Sequence, residues 1–400
     1  MIEQNSLIPK ADHRRSDTCV LILGAGFSAP WGPPVMASFM NEARRQYFNH
    51  REWKNPLAIH YERMLDFHRE CRSSSWMFNR DWDNIEELYT QADLIRLAYG
   101  DEKSGWDDQP GEFRCKHIAW AIWDVCRICK VDDPPPLGAL ISQIREYLDL
   151  KVAIITTNYD VLCEVGLNHQ FNRKGSHSDS IYPGFLSGNV GAQSEGIIST
   201  GAAPSLGNRP RTTVPIIKLH GSINWFETQE AKRWYAFCAF GKKNGQAFGI
   251  NDPSFKIEDV GKVLAANGVV EEASPAIVPP MLGKSTVHSV VAEQWRAAIE
   301  ALERAKRIYI VGYSFPETDI FMLRLLTEGL KRNEDLQEIT VVNKEELTEP
   351  WRTKLHRFFT PVARQNRLWF VSRESKRLLN EFDQDGNAFE KFENERRRVL

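Results

Sequence analysis

Five short signatures combine residue types able to hold an anionic ligand and move a proton: Gly24-Ala25-Gly26-Phe27-Ser28, Thr156-Thr157-Asn158-Tyr159-Asp160, His220-Gly221-Ser222, Gly312-Tyr313-Ser314 and Asn343. The glycine run suits phosphate. Its first glycine permits a tight turn, Gly26 lets a pyrophosphate approach the backbone, and Ala29 is small enough for a following helix to pack on the preceding strand. The phosphate then meets unpaired helical N–H groups at the positive end of the helix dipole. The same spacing also serves a plain strand-to-helix turn. In the second signature Asn158 or Asp160 can cap the next helix, but one cap accounts for one residue and not for the set. A histidine at a strand end is commonly structural. His220, however, is the second such end in succession to carry a group able to handle a proton.

The elements that must position these signatures are apolar, β-branched runs. Cys19 to Leu23, Lys151 to Thr156, Val214 to Leu219, Arg307 to Val311 and Ile339 to Val342 read as strands buried on both faces, each ending in a signature and mostly followed by a helical pattern. This repetition predicts an α/β fold: a doubly wound, Rossmann-like parallel sheet with all signatures on one edge. The acidic residue expected on a second strand about 20 positions after the glycine turn is missing. In its place Asn55 to Leu150 reads as helices. Ile85, Leu88, Tyr89, Ala92 and Ile95 form one apolar stripe, and Ile118, Ala121, Ile122, Val125 and Cys129 a second. Residues 1–400 are therefore expected to form a single domain with a helical insertion at 50–150. Residues 169–213, rich in Gly, Ser, Asn and Pro, are expected to be a mobile lid loop. Pro275 to Pro280 reads as a short edge strand because of its prolines, and residues 344–400 as helical segments completing the domain.

Composition narrows the class. The 400 residues are 42% hydrophobic, enough for a sizeable core, and a formal net charge of −2 gives no footprint for direct nucleic-acid binding. No apolar run approaches the roughly 18 residues needed to span a bilayer, and the first residues contain no secretory h-region. A cytoplasmic protein is the expectation, and seven cysteines without a disulfide-like framework agree with a reducing compartment. Cys126 and Cys129 form a CxxC inside a helical pattern with no second pair, which reads as two small core residues rather than a zinc site.

Taken in order from Asp17 to Asn343, Gly24-Ala25-Gly26-Phe27-Ser28, Thr157-Asn158-Tyr159-Asp160, Lys218-Leu219-His220-Gly221-Ser222, Gly312-Tyr313-Ser314 and Val342-Asn343 resemble the ordered signatures of sirtuin-type NAD-binding domains. The chain is more similar to the bacterial sirtuin-like NAD hydrolases of anti-phage defence than to the protein deacylases. Deacylases carry a four-cysteine zinc module after the catalytic histidine, whereas Cys238 is the only cysteine beyond His220, so no metal is expected. The segment that pairs with an acyl-lysine peptide in deacylases reads Ile277-Val278-Pro279-Pro280, whose prolines lack the donors for such pairing. After Gly32 the chain reads Pro33-Pro34-Val35-Met36 in place of the family's Asp-Phe-Arg.

The resemblance implies that NAD is the substrate. Asn158 would orient the ribose and attacking water, and His220 would act on a ribose hydroxyl as base. Asp160 would meet the nicotinamide carboxamide, with Thr157 beside it. Gly24, Ala25, Gly26 and Ser28 would cradle phosphate, and Gly312, Ser314 and Asn343 would hold the adenosine half. The implied activity is hydrolysis of NAD to nicotinamide and ADP-ribose, depleting NAD in abortive infection. NAD-dependent deacylation or ADP-ribosyl transfer, and a non-catalytic NAD or ADP-ribose sensor, are the alternatives. A homo-oligomer, with a partner ATPase or phage-sensing protein, is implied by family, and the apolar stripes of the helical insertion are a candidate interface. On this assignment His220→Ala and Asn158→Ala leave the melting temperature almost unchanged.

Overall fold

A computed structural model describes residues 18–73, 83–99, 111–127, 134–173, 182, 196–198, 214–229, 233–237, 241–243, 246–248, 256–266, 269–278, 289–316 and 319–399. The apolar runs form β1 (Thr18–Leu23), β2 (Lys151–Thr156), β3 (Ile216–Lys218), β4 (Ala305–Val311) and β5 (Glu338–Asn343). Two further strands, β6 (Leu368–Ser372) and β7 (Arg397–Arg398), lie where the sequence reads only helices. They join one sheet of order β3-β2-β1-β4-β5-β6-β7. β1 to β6 run parallel, and β7 closes the edge antiparallel. The order reverses between β1 and β4, which makes their carboxyl ends the switch point where doubly wound sheets bind ligands. Two arginines on the last strand, with Arg396 and Arg398 stacked over Trp369, charge the outer edge against further pairing.

Strand alternation divides the core. Cys19, Leu21 and Leu23 face one layer and Val20 and Ile22 the other, all buried. The helices introduced in chain order are α1 (Met36–Glu52), α2 (Ala58–Ser73), α3 (Ile85–Tyr99), α4 (Gly111–Arg127), α5 (Leu137–Leu148), α6 (Leu162–Arg173), α7 (Ile257–Ala266), α8 (Ser289–Glu303), α9 (Ile320–Leu330), α10 (Glu349–Arg364), α11 (Ser375–Gln384) and α12 (Ala388–Glu395). α5, α6, α11 and α12 cover the first face, and α8, α9 and α10 the second. The helical segment thus begins at Met36, and α5 belongs to the cover of the sheet.

A second sheet of order Gly196–Ile198, Trp234–Phe237, Gly221–Thr228, Ala273–Ile277 lies beside the His220 signature, which supplies the start of its third strand. The sequence reading of Pro275 to Pro280 as an edge strand is met by Ala273–Ile277, which lies at the edge of this sheet. α1 to α4 share one apolar core with it. Leu88, Ala92, Ile118, Ile122 and Trp123 pack in the same cluster as Tyr159, Ile223, Phe226 and Ile277. The stripes proposed as an interface are therefore core: Leu88, Ala92, Ile118 and Ala121 are fully buried within the chain. Most of residues 169–213, the expected lid, lies outside the described residues. Tyr182, which is described, is buried, with its ring edge-on to Trp225.

Because Leu88 is fully buried, Leu88→Ala should lower the unfolding free energy by about 2–5 kcal/mol. Urea denaturation measures this, and an unchanged midpoint would show that the stripe is not core.

Candidate active site

The switch point is built by backbone contact. Gly24 N–H donates to the Val311 carbonyl at 3.0 Å and Gly26 N–H to the Gly312 carbonyl at 2.8 Å. A Cβ on Gly24 would come within 2.7 Å of Tyr313 Cα, and one on Gly26 within 2.8 Å of the Gly312 oxygen. Gly312 has φ +65°, and a Cβ there would lie 2.1 Å from Phe27 N. These glycines are therefore required by the join between two strand ends. Ala25 is the exposed residue of the turn. Ser375, at the start of α11, closes the other side, donating to the carbonyls of Gly26 (3.2 Å) and Phe27 (2.9 Å).

The end of β2 is tied to the same turn. Thr156 Oγ1 donates to the Leu23 carbonyl and accepts from Asn158 N–H, each at 3.0 Å. Asn158 Nδ2 donates to the Gly24 carbonyl and to Ser28 Oγ, each at 2.9 Å. With both amide donors engaged, Asn158 has its acceptor Oδ1 left for a ligand, since no donor among the described residues reaches it. Ser28 is buried, and its hydroxyl also bonds the Asp160 carboxylate, so its side chain is engaged within the chain. Asp160 is the cap foreseen as an alternative, with Oδ1 accepting from Leu162 N–H at 3.0 Å. Burial raises its carboxyl above the usual range, opposed by Lys218 and the Ser28 hydrogen bond. Thr157 is partly exposed and donates its N–H to the Leu23 carbonyl.

His220 sits on the segment that follows β3. Leu219 N–H donates to the Thr156 carbonyl at 3.1 Å, and Ile223 N–H to the Tyr159 carbonyl at 2.9 Å, so this segment is laced to the Asn158 segment. Trp295 of α8 donates to the Leu219 carbonyl at 3.1 Å and meets the His220 ring edge-to-face at 6.3 Å. Gly221, at φ +78°, turns the chain where a Cβ would strike the Ala276 oxygen at 2.0 Å.

The remaining predicted residues line the far side of the switch point. Asn343, buried at the end of β5, donates from Nδ2 to the Tyr313 carbonyl at 3.4 Å and accepts from Glu345 N–H. Ser314 is exposed, and its carbonyl accepts from Lys354 Nζ at 3.1 Å, which brings a half-buried cation of α10 to this edge. Tyr313 donates to the Asp319 carboxylate, which also caps α9 through Met322 N–H.

One acid near this edge is absent from the sequence reading. Glu86 lies in the first turn of α3, whose Tyr89 hydroxyl donates to the Ile277 carbonyl at 3.3 Å. Burial first, then the charge of Asp319, lifts the Glu86 carboxyl to about 8, and burial, then the charge of Glu86, raises the Tyr159 phenol. Helical periodicity finds α3 but gives no sign that its first turn reaches strand ends so distant in sequence. Lys354 and Ser375 were hidden for the same reason. Among the described residues no group of three or more His, Cys, Asp or Glu side chains converges as a metal site.

No family model matches the sequence, and no curated protein matches it. Among solved structures the chain overlays a Sir2 homologue–NAD complex at 14% identity with a TM-score of 0.35, over 94% of this chain and 90% of that one. It also overlays an ADP-ribose complex of a mutant Sir2 homologue, at 14% identity with a TM-score of 0.37, over 94% and 93% of the two chains. Superpositions this loose carry no weight beside the strand order, on which the α/β assignment rests.

The bonds of Asn158 change one expectation from the sequence. Its side chain holds the fold, so Asn158→Ala removes two buried hydrogen bonds, to the Gly24 carbonyl and to Ser28 Oγ, and should lower stability by about 1–3 kcal/mol. A thermal or urea midpoint equal to wild type would contradict this. Glu86 supplies a pH test. An acid raised on folding contributes stability that is complete below its unfolded value of about 4.3 and lost as pH climbs through about 8. Glu86→Gln should therefore flatten the decline in stability across that window. Parallel stability curves for wild type and variant would refute the assignment.

Proposed function

We propose that this chain hydrolyses NAD to nicotinamide and ADP-ribose, as an NAD-depleting effector of anti-phage defence. One observation carries the reading: the Asn158 segment and the His220 segment are laced together through their backbones beside a glycine turn at the switch point of a doubly wound sheet. The order and wording of the five signatures, which resemble sirtuin-type NAD-binding domains, supply the identity of the dinucleotide.

The chemistry needs few groups. The C1′–N bond breaks with its electron pair going to the pyridinium nitrogen, so nicotinamide leaves neutral without a general acid. The ribose passes through an oxocarbenium-like state. An acceptor at Asn158 suits both the developing positive charge and an O–H of the attacking water. When the water oxygen bonds C1′, its proton passes to a ribose hydroxyl oxygen, whose own proton is taken up by the His220 imidazole acting as base. Asp160 and Thr157 flank the nicotinamide end, Ala25 and the backbone of the turn meet the diphosphate, and Ser314 and Asn343 face the adenosine half. Hydrolysis is favoured over deacylation by the single cysteine beyond His220 and by Val278, whose N–H already bonds the His220 carbonyl at 2.9 Å.

Chromatography of NAD incubated with the activated protein should show equal amounts of nicotinamide and ADP-ribose without any acyl-peptide. His220→Ala should cut that rate by roughly a hundredfold or more. Nicotinamide that appears only with acyl-peptide would replace the reading by deacylation, and binding without products would replace it by sensing.

A further inference from the structure

We infer that Lys218 is a positioning residue, whose buried ammonium clamps the Asp160 segment at the end of β2 to the His220 loop at the end of β3. This rests on the NAD-hydrolase reading for what is positioned, but the clamp itself is a matter of geometry. Lys218 is 0% exposed. Its Nζ donates to the Asp160 carbonyl and, at 2.8 Å, to Ser222 Oγ, and lies 3.2 Å from Glu164 Oε1. Ser222, two residues after His220, donates on to the Tyr159 carbonyl at 3.2 Å. One ammonium thus joins α6, the β2 end and the histidine loop.

Its surroundings are built to keep it there. The Lys218 N–H donates to Gln294 Oε1 of α8 at 2.8 Å, and Glu164 accepts from the Tyr182 hydroxyl, itself bonded by Asn224 Nδ2 at 3.0 Å. The other groups facing Asp160 are the Ser28 hydroxyl and the thiols of Cys163 on α6 and Cys126 on α4, which burial keeps protonated. Lys218 is therefore the cation that opposes the desolvation of the Asp160 carboxylate. A buried ion pair of this kind is poor value as a stabiliser, since apolar or neutral residues of similar shape often serve as well or better. What a neutral pair cannot reproduce is a charge beside Asp160 and a three-way donor between the two segments.

The test separates fold from site. Lys218→Met alone strands the Glu164 carboxylate and should lower the melting temperature. Lys218→Met with Glu164→Gln removes both charges and should recover it. In the recovered double variant kcat on NAD should stay depressed on the order of a hundredfold, the scale of a misplaced reacting group. KM should change little, because the diphosphate and adenosine contacts come from other strand ends. The acid limb of the kcat profile should move to higher pH, since Asp160 without its cation ionises later. Carbon-13 NMR of aspartate-labelled protein should show the Asp160 carboxyl titrating at least one pH unit higher, with no substrate present. Recovered kcat, or an unmoved Asp160 titration in the folded double variant, would overturn the clamp. A wild-type protein that leaves NAD intact would overturn the hydrolase reading instead, and the Asp160 titration would then decide the clamp by itself.

Discussion

The close contact of the β1 turn with Gly312 is the constraint on which the site depends. Two parallel strands end side by side, and their backbones approach so nearly that no Cβ fits at Gly24, Gly26 or Gly312. The turn donates two N–H···O bonds across the gap, from Gly24 to Val311 and from Gly26 to Gly312, so it is fixed by the sheet as well as by its own helix. Asn158 then reads the position of this turn through the Gly24 carbonyl, and Ser28 passes that position on to Asp160. Ser375 holds the turn from behind, linking a helix near the end of the chain to a loop near its start. The polar edge is thus a consequence of backbone packing, with side chains added in a defined order.

Strands flanked by helices on both faces were legible because a buried parallel strand must be apolar almost throughout. Leu21, Ile154, Ile310 and Val341 lie in runs with no other reading. β6 escaped for a physical reason: Leu368 to Ser372 sits between arginines, near the edge of the sheet, and its Trp369 is only partly buried beneath Arg396 and Arg398. Of the second sheet only the edge strand at Pro275 was legible, because Gly196–Ile198 and Trp234–Phe237 are short and Gly221–Thr228 is buried along almost its whole length, so no alternation develops. The apolar stripes of α3 and α4 were read correctly as stripes and wrongly as a surface. Periodicity reports that a face is apolar, and only the fold reports what covers it, here Tyr159, Phe226 and Ile277.

The candidate site was legible in its residue types more than in its bonding. Asn158, Asp160 and His220 stand at the strand ends where the sequence places them. The bonding of Lys218 to Glu164 and Ser222, and the reach of Glu86 to Tyr159 and Asp319, were out of view because they join elements that only the fold brings together. Charge makes these partners consequential. Burial lifts two carboxyls at this edge, that of Asp160, opposed by the Lys218 ammonium, and that of Glu86, reinforced by the charge of Asp319.

The central claim is that one edge of the sheet, at the β1–β4 switch point, is a dinucleotide site. A crystal structure of His220→Ala soaked with NAD tests it most directly. The diphosphate should lie against the Gly24 to Ser28 turn and the nicotinamide ribose between Asn158 and position 220. NAD lodged elsewhere, or no bound dinucleotide at saturating concentration, would contradict it.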